Sequence, residues 1–132
     1  MNKQDIIKEL LELWGRCIGC SHHKQRDFEF SINTQYTVYQ DVKYVVEHHG
    51  YVMHELESYS TFNTYEEAEN YLIQLLIYGI LRETENSLAY EESEGNWCDL
   101  SKERATEIKS QLMDLIAREQ LIKQLDNARL MS

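Results

Sequence analysis

Proline is absent from the 132 residues, although it makes up ~5% of average sequences. Turns must therefore rely on Gly, Asn, Asp and Ser. Glycine is scarce as well, and Gly15, Gly19, Gly50, Gly79 and Gly95 are scattered. That scatter excludes a glycine-rich loop of the kind that cradles phosphates. The three cysteines are an odd number and imply no disulfide framework. No apolar run approaches the ~20 residues that a membrane span needs. The opening MNKQDIIKELLELW mixes charges into its apolar positions, so it is not a secretion signal, and the expected compartment is the cytoplasm. Bases are few, 13 Lys and Arg against 23 Asp and Glu, and they form no cluster. Direct binding of nucleic acid, which needs clustered Lys and Arg to neutralise phosphates, is disfavoured.

What is present is a strong segregation of charge. Residues 47–94 hold eleven glutamates and one base, Arg82, while residues 1–46 and 95–132 each hold six acids and six bases. The whole formal charge of −10 therefore arises in one central stretch. The same stretch carries Tyr51, Tyr59, Tyr65, Tyr71, Tyr78 and Tyr90 and the most apolar helical pattern of the chain. A hydrophobic content of 42% and a charged content of 27% are ordinary for one soluble globular domain of this length.

Hydrophobic periodicity predicts an α+β domain with the order α-β-β-β-α-α. Ile6, Ile7, Leu10, Leu11 and Trp14 recur at helical spacing over residues 4–14, with Gly15 and Gly19 as stops. Phe28, Phe30 and Ile32 alternate with polar residues as in a half-buried strand, and Asn33 and Thr34 suggest a bend. A second strand is expected from about Tyr39 to His48, with Val42, Tyr44 and Val46 on one face and Lys43, Val45 and Glu47 on the other. The run HHGY at 48–51 reads as a hairpin turn leading to a third strand over 51–60.

Thr64 and Glu67 have the spacing of a capping box. The helix that they open is apolar on most sides from Leu72 to Leu81, so it should be buried under the three-stranded antiparallel sheet and end near Arg82. Residues 83–99 are acidic and read as a loop with a short helical piece around Leu88 to Glu92. Ser101 caps a last helix expected over about 102–128, near 40 Å long at 1.5 Å per residue. That exceeds the width of a small domain and suggests projection or homodimerisation through this helix.

The first five elements resemble a double-stranded-RNA-binding domain in order. The basic helix start that would contact phosphates in that family is replaced here by Glu66 and Glu67, so the resemblance implies topology and not function.

Three kinds of site are candidates. Cys17-x-x-Cys20-x-His22-His23 has soft ligands at zinc-like spacing, with His48, His49, His54 or Cys98 available as a fourth. The plain alternative is that Cys17 is a small core residue beside Trp14. A redox role is weaker, because reactive CxxC cysteines sit at a helix N-terminus and this pair follows a helix. An enzyme would need one of the cysteines beside a histidine, and neither HExxH nor DxDxDG occurs. The acidic, tyrosine-rich stretch favours binding. Clustered carboxylates imitate phosphates for a basic channel, and tyrosine supplies contact area at low entropic cost. The expected contacts are Glu55, Glu57, Tyr65, Glu66, Glu67 and Glu69, with Glu91, Glu92 and Glu94 adding to them. Against this, Glu66 and Glu67 could only cap a helix, and Tyr71 and Tyr78 could only be core. In size, acidity and lack of a catalytic motif the chain is similar to phage and mobile-element inhibitors of the anti-CRISPR and anti-restriction kinds. It is equally similar to immunity proteins that neutralise nuclease toxins. The resemblance implies a non-enzymatic inhibitor whose partner is a basic nucleic-acid-handling protein.

Overall fold

The computed structural model describes residues 2–17, 30–39, 41–48, 59–89 and 100–131. Its elements are α1 (Lys3–Cys17), β1 (Phe30–Tyr36), β2 (Val42–His48), β3 (Tyr59–Phe62), α2 (Tyr65–Ala89), α3 (Lys102–Arg118) and α4 (Ile122–Arg129). The expected three-stranded antiparallel sheet is present, in the order β1-β2-β3, and the fold is α+β. Among the described residues, no helix is long and apolar enough to cross a membrane.

The sheet shows one face to the helices, as the alternation requires. Phe30 meets Trp14 of α1 edge-on at 6.0 Å between ring centroids. Tyr44 meets Tyr65 at 5.6 Å and Phe62 meets Tyr71 at 5.1 Å. Val46 lies in the same core. Ser31, Asn33, Gln35, Lys43, Glu47 and Thr61 alternate with these residues and so project from the opposite face. Val45 shares that face yet is buried.

Helix α2 is the axis of the molecule. Every residue from Leu75 to Leu81 is buried, which explains the absence of a polar stripe in its sequence. Ion pairs fix the directions of its neighbours. Lys3 bonds Glu66 at 2.9 Å, joining the starts of α1 and α2. Arg118 bonds Glu9 and Arg16 bonds Glu107, both at 2.9 Å, so α3 runs antiparallel to α1. Ile108, Leu112, Leu115 and Ile116 of α3 join Leu72 to Leu81 in a single core.

Five expectations need correction. Helix α1 continues through Gly15 to Cys17, because Leu13, Trp14 and Cys17 all reach the core. Strand β1 passes straight through Asn33 and Thr34, paired with Val45 and Tyr44. The chain turns instead at 37–41, where the Thr37 hydroxyl accepts the Tyr39 and Asp41 amides. The β2–β3 register sets Glu47 opposite Tyr59, whereas a two-residue turn at 49–50 would set it opposite Val52; most of the expected third strand, 51–58, lies outside the described residues.

Helix α2 does not end near Arg82 but runs to Ala89. Thr84, fully buried, donates its hydroxyl to the Ile80 carbonyl at 2.8 Å, and Glu85 is held by Lys109 at 3.2 Å and Arg129 at 3.6 Å. Polar residues that read as a loop are thus satisfied on the helix itself and by cations from α3 and α4. Finally, the single long helix over 102–128 is two. Gln120 takes φ 57°, and the Leu121 amide reaches back to the Ile116 carbonyl at 2.8 Å. This is the six-to-one bond of a Schellman stop, and buried Leu121 supplies its apolar contact. The chain reverses so that Leu125 and Ala128 of α4 can be buried, instead of projecting.

Candidate functional site

The start of α2 and the neighbouring end of the sheet form one surface. Thr64 caps the helix. Its hydroxyl oxygen accepts the Glu67 amide at 3.2 Å and its hydroxyl proton goes to the Glu67 carboxylate at 2.9 Å. Glu66 and Glu67 occupy the first turn, where the helix dipole favours negative charge. The Glu66 side chain is 76% exposed although it bonds Lys3, so a strong acceptor stays open to solvent. Glu69 lies three residues on, on the same side of the helix as Glu66, and has no ion-pair partner among the described residues. Tyr65, 42% exposed, stands on Tyr44.

Of the sequence-predicted contacts, then, Tyr65, Glu66, Glu67 and Glu69 come together on one turn. Two of the glutamates also hold the fold, as the plainer reading had it. Tyr71 and Tyr78 belong to the core region, Tyr78 buried and Tyr71 half-buried against Phe62. Glu55, Glu57, Glu91, Glu92 and Glu94 lie outside the described residues.

Sequence reasoning missed the apolar part of this surface. Tyr36 is 72% exposed, Val38 91%, Tyr39 84% and Val42 39%. Tyr36 pairs with Val42 across β1 and β2, and by alternation both sit on the helix-facing side of the sheet. Cover on that side fades along the strands. His48 and Val46 are buried opposite half-buried Phe30 and Ile32, Tyr44 is half-buried on Tyr65, and the Tyr36–Val42 row stands in solvent. The sheet therefore outruns its helix layer by one row. A signal existed in the sequence, since QYTVYQDV holds four large apolar or aromatic residues within seven positions. Their exposure could not be read from it.

The zinc candidates are not assembled by the described part of the fold. Cys17 is buried on the last turn of α1, in the same core as Trp14. Its thiol is pushed up to about 12, first by burial and then by the nearby Glu83 carboxylate. It stays protonated at neutral pH, and a thiolate ligand there would have to leave the core. His48 is also buried, its ring tilted against Phe30 at 6.2 Å between centroids. Cys20, His22, His23, His49, His54 and Cys98 lie outside the described residues. Among the described residues no group of three or more His, Cys, Asp or Glu could hold a metal ion.

Two open clefts accompany these features. One, of about 320 Å³, lies between α2 and α4 and is lined by Tyr78, Arg82, Glu85, Asn86 and Arg129. The other, of about 300 Å³, is lined by Glu9, Glu12, Arg16, Asp114 and Arg118 between α1 and α3. Both hold mixed charges, engaged in part in the interhelical pairs Arg129–Glu85 and Arg118–Glu9.

Comparison of the chain with protein-family models, with curated proteins and with solved structures returned no match.

Proposed function

We propose that this chain is a small, non-enzymatic, cytoplasmic binding protein that inhibits a basic nucleic-acid-handling protein by presenting carboxylates in place of phosphates. The observation that carries this reading is the segregation of charge: all ten net negative charges arise in residues 47–94, between two neutral flanks. Charge spread for solubility alone would need no such segregation. The exposed glutamates at the start of α2 support it further, because carboxylates compete with phosphates for the same Lys and Arg side chains. Long-range attraction would also speed the encounter. The target chemistry is that of the enzymes blocked by anti-CRISPR and anti-restriction proteins. Neutralisation of a nuclease toxin by an immunity protein uses the same chemistry and is the alternative within this reading.

The test is capture from a bacterial lysate at low salt and at roughly 0.5 M salt, where screening acts over about 4 Å. A basic nucleic-acid enzyme retained at low salt and weakened at high salt is the expected result. The triple variant Glu55→Lys, Glu57→Lys and Glu69→Lys should lose that enzyme while keeping its circular dichroism. Retention undiminished by these reversals, or by high salt, would overturn the reading.

A further inference from the structure

We propose that the overhanging end of the sheet, built from Tyr36, Val38, Tyr39 and Val42, is the anchor by which this chain seats in an apolar recess ringed by Lys and Arg on its protein partner. The inference rests on the reading above and adds to it where the affinity resides.

Three observations support an anchor. First, the exposure is concentrated. Of the eight large apolar side chains exposed among the described residues, these four fall within seven positions, and Tyr65 is a fifth beside them. Two tyrosines and a valine exposed to this degree present on the order of 400 Å² of mainly apolar surface. The largest apolar patch on a soluble protein is commonly about this size and is often functional. It is also about half of what one partner contributes to an ordinary interface. Second, Tyr36 and Val42 continue the face of the sheet that elsewhere packs on helices, and Val38 and Tyr39 lie in the turn that joins them. Phe30, Ile32, Tyr44 and Val46 are covered by the molecule's own core, and the next row is not. Third, the loop that carries it is held in shape. The Thr37 amide donates to the Asp41 carbonyl at 2.9 Å, and the Thr37 hydroxyl accepts two further amides. Aromatic side chains on a fixed turn bind at low ordering cost.

Charge decides the occupant. The acids nearest the patch are Asp41, in the turn itself, and Glu66, one residue beyond Tyr65, which stays 76% exposed although it bonds Lys3. Lys43, the base beside Val42, projects from the opposite face of the sheet. An apolar centre with a charged rim is the anatomy of a protein interface. A second copy would add a further −10 to a molecule already at −10 and offer no basic cluster to the acids at this end. An anionic lipid surface would repel the same rim. A basic protein surface satisfies both parts at once.

The experiment places a photo-crosslinking benzoylphenylalanine at Val38, and in a second protein at Lys123 on α4, and irradiates each in a bacterial lysate at low salt. It is run beside capture by the variant Tyr36→Ser, Val38→Ser and Tyr39→Ser. These side chains are exposed, so the variant should fold, and circular dichroism checks that it does. The expected result is a crosslink from position 38 and none from 123, joined to a Lys- and Arg-rich segment of the protein whose capture is salt-sensitive. The triple serine variant should retain that protein roughly tenfold less or worse. Equal retention by the variant, or a crosslink from position 38 only to a second copy, would overturn the anchor while leaving charge-driven inhibition standing. Loss of capture for the wild type at every salt would remove that reading and the anchor with it.

Discussion

At the scale of single residues, two positions carry the wrong side chain for their backbone, in opposite senses. Gly15 sits inside α1, where a Cβ would meet nothing within 4 Å. Glycine there costs roughly 0.5–1 kcal/mol against alanine through the freedom it loses on folding. Gln120 sits at φ 57° in the Schellman stop after α3, where glycine has no Cβ penalty. Gly15→Ala and Gln120→Gly should each raise stability by about 1 kcal/mol or less, read as a higher urea midpoint with an unchanged slope. A fall in the midpoint for Gln120→Gly would mean that the left-handed turn is not the stop. Neither position betrays itself in the sequence: a helix running through glycine and one broken at glutamine both contradict local propensity, and core contacts of Cys17 and Leu121 outweigh it. The same holds for Cys17, whose zinc-like spacing is legible while its burial is a matter of which helix face meets α2.

At the scale of elements, the sequence was most reliable where local chemistry repeats. The capping spacing Thr64–Glu67 became a pair of hydrogen bonds, and the apolar run from Leu72 to Leu81 became a helix buried on nearly every side. Thr64→Ala should cost about 1 kcal/mol, measured by thermal or urea unfolding, with the loss concentrated in hydrogen-exchange protection of the first turn of α2. Undiminished stability would show that the cap is idle. The sequence was least reliable at element ends. The stretch 83–89 is polar and acidic, yet it is helical: Thr84 and Ser87 satisfy their hydroxyls on backbone carbonyls of the same helix, and Glu85 is tied to cations on two later helices. Those cations lie more than twenty residues away in sequence, beyond any window that reads periodicity.

At the scale of the whole molecule, the apolar stripe of α3 is already used. Ile108, Leu112, Leu115 and Ile116 are buried against α2 and α1, and α4 folds back on α2. Dimerisation by this stripe would require the helix to leave its own core. Truncation after Ala105 should therefore unfold the protein, seen as loss of a cooperative thermal transition and binding of a hydrophobic dye. A truncated chain that stays cooperatively folded and monomeric, from a dimeric parent, would revive association through the C-terminal region. The acidic stretch is divided at the same scale: Glu66 and Glu85 are engaged in ion pairs with Lys3, Lys109 and Arg129, so only part of the central charge faces outward unopposed.

The sequence by itself determined the fold class, the burial of α2, the cap at Thr64 and the location of the charge, because each follows from periodicity, short-range hydrogen bonding or a count. Only the tertiary structure decided where α2 stops, that the C-terminal helix breaks at Gln120, that Cys17 is core, and that Tyr36, Val38, Tyr39 and Val42 stand in solvent. These depend on how far one layer reaches over another, and that reach is fixed by contacts between segments distant in the chain. Strand alternation says which side chains share a face; only the position of α2 above that face says which of them are covered.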